Sequence, residues 1–345
     1  MVQAISIIAI LSGTFVFSSL FEAWFPTGTL DTGVIVKTIA PVGWLLIATS
    51  IIEVIMMYRI PTFEEKNESD TFNYKDFATL KMAKENLKPL AEREVIRSSI
   101  IGLAMFWSIG QVMLAVFPAF AKETLAITNT VVIQGILAAS GIGIAFGAYI
   151  AGKASKNHIE TGLVPIGAAG IAIGLWLIPV MASPTAHALN YFFIGTMGGL
   201  FIVPLNSLIQ FHAGEHELGK ILAANNWVQN IGMLTFLILT AVAATLGFKS
   251  IYMLYLIAVF AVFGGLYTVY KLPQSLLRLI FSYVLSSRYR INVQGLKNIP
   301  AEGGVLFLGN HISWIDWAIV QIACPRSIRF VMLASIYERW YCVGF

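Results

Sequence analysis

Residues 162–181 read GLVPIGAAGIAIGLWLIPVM, without one charged side chain. At 1.5 Å per helical residue, a run of about 20 residues covers about 30 Å, the thickness of a bilayer's hydrocarbon core. In lipid every backbone N–H and C=O needs a partner, so the stretch reads as a membrane-spanning helix. Similar runs recur at 4–21, 35–58, 98–117, 131–151, 188–210, 225–246 and 251–270, which makes roughly eight spans. Composition agrees: of 345 residues 57% are hydrophobic and only 12% charged, with a mean hydropathy of +0.78. A soluble globule carries about 25% charged residues.

The net charge is +4 and the pI near 9.0, but the basic residues lie between apolar runs instead of forming a patch. Nucleic acid is therefore not an expected partner. Between the second and third spans, 59–97 alternates Lys66, Lys75, Lys81, Lys84, Lys88 and Arg93 with Glu64, Glu65, Asp70, Asp76, Glu85 and Glu92. It reads as a solvated loop with some helix. Basic residues also mark the segments 153–156, Lys220 and 271–290, whereas 22–34 and 182–187 have none and the remaining loops carry only Lys122 or Lys249. Lys and Arg resist translocation, so the N-terminus and the C-terminal segment are both expected in the cytoplasm. Cys324 and Cys342 fall in that last segment, where a disulfide is not expected. The opening apolar run lacks a basic n-region and a small-residue cleavage site, and is read as a span instead of a signal peptide.

Two spans, a charged cytoplasmic loop and six further spans resemble the latter part of a major facilitator transporter, a family built of two six-helix halves. By that comparison the first four helices are absent from this chain. The resemblance divides the chain into two helices of an incomplete first half (1–58), an inter-half loop (59–97) and a six-helix second half (98–270). Gly147, Gly152, Lys153 and Lys156 occupy the place of a Gly-rich basic motif of that family, without its acidic residue or paired Arg/Lys. Gly141, Gly143 and Gly147, and again Gly167, Gly170 and Gly174, form small-residue faces that let helices pack closely in lipid.

Beyond Tyr270 the pattern changes. Leu276, Leu277, Ile280, Phe281, Val284 and Leu285 share a helical face, with Arg278, Arg288 and Arg290 in reach of lipid headgroups, so 271–290 reads as a surface-lying amphipathic linker. Short apolar runs at 291–293, 305–308 and 328–333 are strand candidates, with a helix over 314–323 between the last two. Residues 291–345 thus read as the beginning of an α/β domain. The chain leaves the 305–308 strand through Gly309 and enters Asn310-His311-Ile312-Ser313-Trp314-Ile315-Asp316. Ser313 can cap the helix that follows, placing Asp316 where its carboxylate reaches back toward His311. The lesser alternative on spacing is that Ser313 and Asp316 form only a capping box, with His311 a loop residue.

Residues 293–300, VQGLKNIP, followed by an apolar run and NHISWID, resemble the entry into the glycerolipid acyltransferases, whose first motif is NHxxxxD. The resemblance implies that His311 is the general base, that Asp316 orients and stabilises the imidazolium, and that Asn310 supports the turn or the reacting groups. It also implies a lysophospholipid acceptor and an acyl thioester donor, on acyl-carrier protein or coenzyme A, with no bound cofactor. The family's later motifs do not occur before Phe345, so the chain is expected to be an internal fragment without acyl transfer activity by itself. Together the two parts resemble bacterial fusions of a major facilitator lysophospholipid transporter with an acyl-[acyl-carrier-protein]–phospholipid acyltransferase. That implies an inner-membrane protein that imports lysophospholipid and restores its missing acyl chain, with membrane lipids and acyl-carrier protein as partners. The competing reading is a bundle that only anchors the acyltransferase, or that transports another substrate.

Within the bundle, Gln111, Gln134, Asn206, Gln210, Asn225, Asn226, Gln229 and Asn230 are the groups lipid tolerates least, and are expected to face other helices or a transport cavity. Asn206 and Gln210 share one helical face in a segment, PLNSLIQ at 204–210, that resembles the lysophospholipid transporters. Glu53 lies near the cytoplasmic end of its span, where a carboxylate snorkels to the interface. His212, Glu215 and His216 match H-x-x-E-H, but Gly214 disfavours the helix that pattern needs, so no metal is expected.

Overall fold

A computed structural model describes residues 13, 16–20, 23, 32–59, 75, 93–155, 158–214, 217–295, 298–300, 303–313, 315–324, 326, 328–331, 333 and 334. The described residues form α1 (Thr32–Met57), α2 (Glu94–Thr124), α3 (Thr130–Ala154) and α4 (Leu163–Leu177), the last prolonged by a 3-10 turn, Ile178–Val180. After these come α5 (Pro184–His212), α6 (Leu218–Thr245), α7 (Ser250–Lys271), α8 (Pro273–Arg288) and the short α9 (Asp316–Ala323). α2 to α7 are long and apolar enough to cross a membrane, and the protein is a multi-pass α-helical membrane protein. The first expected span lies largely outside the described residues, as does most of 59–97. The second is α1, whose side chains, Glu53 among them, are mostly exposed.

Local chemistry sets several helix ends. Asn129 accepts the Val132 N–H at 3.0 Å to open α3, and Ser183 accepts the Ala186 N–H at 3.2 Å to open α5, with Pro184 in the first turn. The helices outrun the apolar windows read from sequence: α6 starts at Leu218, not at 225, and takes in Gly219 and Lys220. Backbone hydrogen bonding continues into the interface where hydropathy has already fallen.

α5 is the hub, packed on α3, α4 and α2, while α2 also meets α6 and α7, and α7 lies on α4. Glycine makes the α3/α5 crossing this close. A Cβ on Gly143 would overlap the Phe192 carbonyl, one on Gly147 the Thr196 carbonyl, and one on Gly195 the Ser140 carbonyl. Along α4, a Cβ on Gly167 would come within 2.6 Å of the Met197 carbonyl, and Gly170 and Gly174 take the Met197 and Ile194 side chains. Phe117, Phe120, Tyr191, Leu103, Leu254 and Ile209 fill the core. α6 by contrast buries only Ile221, Ala224 and Asn225, and leaves Leu234, Ile238, Leu239 and Val242 exposed. In lipid such exposure carries no hydrophobic penalty, because the tails are as apolar as leucine.

Polar ties sort the loops into two ends. At one, Arg93 bonds Glu217 at 2.8 Å and the His212 carbonyl at 3.1 Å, and Lys271 meets Glu94 at 2.8 Å. At the other, Ser250 donates to Glu123 at 2.6 Å. These contacts match the alternation of basic and non-basic loops.

Three expectations for the C-terminal part change. The runs 291–293, 305–308 and 328–331 are not strands, and the described residues contain none: a strand needs a ladder partner, and Leu306 and Leu308 instead stand exposed. The helix over 314–323 begins only at Asp316, and Ser313 supplies no side-chain cap to it. Arg278 does not reach out to headgroups, because its guanidinium turns inward to Glu160 at 3.4 Å.

Candidate functional site

Gly309 and Asn310 deliver the chain, exposed, to His311, whose side chain is 78% exposed. The following loop turns back at Ser313, where its carbonyl accepts the Asp316 N–H at 3.0 Å and α9 starts. One carboxylate oxygen, Asp316 Oδ2, then gathers the loop: it accepts the N–H of Ile312 at 2.7 Å, the N–H of Ser313 at 2.8 Å and faces His311 Nδ1 at 3.1 Å. The cap of this turn is thus the aspartate, not the serine. An ionised carboxylate only accepts, so Nδ1 is the donor, and in the neutral imidazole the lone pair then lies on Nε2 at the open side of the ring. The arrangement can take a proton at Nε2 and hold the resulting imidazolium against a fixed negative charge.

The Ser313 N–H, the Ile312 N–H and the His311 ring hold the Asp316 carboxyl below the usual aspartate value. A pKa lowered in the folded loop means that these bonds stabilise it above the unfolded value of about 3.9 and are lost as pH falls through the lower folded one. Hydrogen-exchange protection at Ile312 and Ser313 is therefore expected to stay constant from about pH 8 to pH 5. A loss of protection within that window contradicts an ionised Asp316 as the anchor.

The amides of the bundle divide. Asn225 is buried and accepts from Gln229 Nε2 at 2.8 Å, while half-buried Asn206 donates to the Ile202 carbonyl of its own helix at 3.0 Å. Half-buried Gln134 lines an apolar cavity of about 780 Å3 with Val16, Phe17, Val36 and Leu46, and Gln111 is also half-buried. Gln210, Asn226 and Asn230 are all exposed, and Asn230 donates to the Asn226 carbonyl at 2.8 Å. Their helices turn these positions away from the packed interfaces, so Asn206 and Gln210 share a face but not an environment. Of the H-x-x-E-H pattern, Glu215 and His216 lie outside the described residues, and His212 Nδ1 meets the Leu208 carbonyl at 2.9 Å. The described residues contain no cluster able to hold a metal.

Sequence reasoning passed over two groups. Buried Asn190 donates to the Gly174 carbonyl at 2.8 Å, tying α5 to α4, and His187 is enclosed by Phe117 and Phe120. Buried Glu160 sits among His158, Arg278 and the Gly162 N–H. The signal for Glu160 was a lone acid in an otherwise basic short loop.

The sequence matches two family profiles, Major Facilitator Superfamily over residues 2–236 and Acyltransferase over residues 290–343. The first covers well over half the chain, and the chain belongs to the Major Facilitator Superfamily. Its C-terminal segment joins that bundle to an acyltransferase-like sequence containing His311 and Asp316. Among curated relatives, Lysophospholipid transporter LplT of Klebsiella pneumoniae (strain 342) is 32% identical over 158 residues, 44% of this chain and 38% of that protein. LplT of Enterobacter sp. (strain 638) is 33% identical over 158 residues, with the same 44% and 38% coverage. LplT of Citrobacter koseri is 30% identical over 178 residues, 50% of this chain and 42% of that protein. The chain thus spans about two fifths of the length of these relatives. No solved structure matches it.

Proposed function

We propose that this chain belongs to a bacterial inner-membrane protein that moves lysophospholipid across the bilayer and re-acylates it on the cytoplasmic side. The observation that carries the reading is the His311–Asp316 contact at 3.1 Å, in a segment joined directly to a bundle related to lysophospholipid transporters. In this reading both ends of the chain are cytoplasmic. His311 Nε2 removes the proton of the lysolipid hydroxyl as its oxygen attacks the thioester carbonyl. Collapse of the tetrahedral intermediate expels the thiolate, which takes the proton back from the imidazolium. Asp316 holds the ring and its tautomer, Asn310 supports the turn, and acyl-carrier protein brings the acyl chain as a thioester. Gln111, Gln134, Asn206, Gln210, Asn225, Asn226 and Asn230 are proposed as a group to contact the polar headgroup in transit.

Proteoliposomes containing full-length protein test both activities at once, by following a labelled lysophospholipid from the outer leaflet to the inner one and then to its diacyl product. Movement with re-acylation supports the reading. Acylation without trans-bilayer movement makes the bundle an anchor, and movement without acylation removes the enzyme. Asn206→Ala is expected to lower flux about five- to tenfold, the scale of one lost polar contact in a membrane protein. Unchanged flux would leave Asn206 as an amide satisfied within its own helix.

A further inference from the structure

α8 follows the last bundle helix with only Leu272 between them, and it touches both the bundle and the candidate acyltransferase site. On the bundle side, one face carries Ser275, Arg278 and Leu279. The Thr161 hydroxyl bonds the Ser275 hydroxyl at 2.9 Å, and Arg278 reaches Glu160 at 3.4 Å. Leu279 packs on the small cluster of Ala151, Leu163 and Leu200, which belong to α3, α4 and α5. The approach is close enough that a Cβ on Gly162 would come within 2.5 Å of the Ser275 carbonyl. On the other side, Phe281 stacks edge-on against Trp317 with ring centroids 5.4 Å apart, and Trp317 is the residue after Asp316.

The ionic part of this joint is built, not incidental. Side-chain exposure is only 8% at Glu160 and 15% at Arg278. The second oxygen of Glu160 meets His158 Nε2 at 2.9 Å, and the first also accepts the Gly162 N–H at 3.3 Å. Burial alone would raise the Glu160 pKa, but the His158 hydrogen bond, the Arg278 charge and the Gly162 N–H outweigh it and hold the carboxyl below the usual glutamate value. A buried acid paired this way is costly to break, because removing one partner strands the other charge.

We propose that Glu160 and Arg278 are positioning residues that lock α8 onto the α3–α4 loop, so that His311 and Asp316 stand at the bundle's end and receive lysophospholipid directly from it. The inference rests on the proposed transport and re-acylation. It adds that transported lysophospholipid is handed over before it mixes with the surrounding leaflet, and the structural link runs from Glu160 through Arg278, Phe281 and Trp317 to Asp316.

The test uses full-length protein in membrane vesicles, with Cys324 and Cys342 replaced by alanine and Thr161→Cys and Ser275→Cys introduced. Oxidative crosslinking of that pair reports docking without reference to any activity. Arg278→Gln and Glu160→Gln are each expected to slow crosslinking about tenfold, with the double variant no worse than either single one, because the two side chains act through one contact. Without the added cysteines, the same variants are assayed with lysolipid supplied from the transporter's outer side or directly at the cytoplasmic face. Acylation of transported lipid is expected to fall about tenfold and that of directly supplied lipid to stay within about twofold, with Arg278→Lys restoring most of the difference. An equal fall from both sides makes the pair merely structural, and unchanged crosslinking or unchanged hand-off overturns the proposal. Wild-type protein that acylates lipid from neither side sinks the enzymatic reading itself. Crosslinking then still decides whether this pair holds α8.

Discussion

Full-length protein carrying His311→Ala is expected to lose about 10²–10⁴-fold in acyl transfer, the contribution of a positioned general base, while moving lysophospholipid at the wild-type rate. The separation follows from placement. His311 is exposed beyond α8 and contacts Asp316, not the bundle, so truncating it leaves the helices and their packing alone. In the proposed mechanism the effect falls on kcat, since the imidazole would take the hydroxyl proton only as the bond to the acyl carbon forms. Asp316→Asn is the companion measurement. An amide can still accept a hydrogen bond, but it carries no charge to stabilise the imidazolium and can present its NH2 to Nδ1, favouring the wrong tautomer. The loss is then large but not beyond that of His311→Ala. Radiolabelled product formation in matched vesicles measures both, and an active His311→Ala protein removes the imidazole from the chemistry.

Gly195→Val is expected to disrupt the bundle, and with it transport and insertion-competent folding. The obstacle to its new side chain is the Ser140 carbonyl on α3, a backbone atom that cannot rotate aside. Overpacking a core costs about 1–3 kcal/mol where side chains can adjust. Here α3 and α5 must separate along their whole glycine seam, losing the contacts of Gly143, Gly147 and Gly199 as well, so the loss is expected at or above the top of that range. Gly110 on α2 has open space around it, and Gly110→Ala should keep or raise stability by up to about 1 kcal/mol through helix propensity. Thermal unfolding in detergent compares the two. Equal transition temperatures for the Gly195 and Gly110 variants would refute a backbone-to-backbone crossing.

Much of this was legible along the chain. Uncharged runs such as 162–181 announced the spans, because a bilayer admits only backbone that bonds within itself. The spacing of Gly143 with Gly147, and of Gly167 with Gly170 and Gly174, announced close packing, and the structure seats both faces against α5. The proximity of His311 and Asp316 was legible as well, since a turn within five residues lets a carboxylate fold back, although spacing alone also allowed a bare capping box. Ser313 was misread because serine and aspartate cap helices about equally well by residue type, whereas the N–H groups of Ile312 and Ser313 found the stronger acceptor in a charged oxygen.

What the sequence by itself determined is a membrane-embedded helical chain followed by a His–Asp motif, because hydrophobic length and short-range spacing are local properties. Tertiary structure decided which residues meet across it. Gly195 as the partner of the α3 glycines, the exposure of Gln210, Asn226 and Asn230, and the inward turn of Arg278 to Glu160 all depend on how helices are rotated about their axes. In lipid that rotation is set by close packing and polar satisfaction, not by hydrophobicity, since every face of such a helix is apolar enough to look outward.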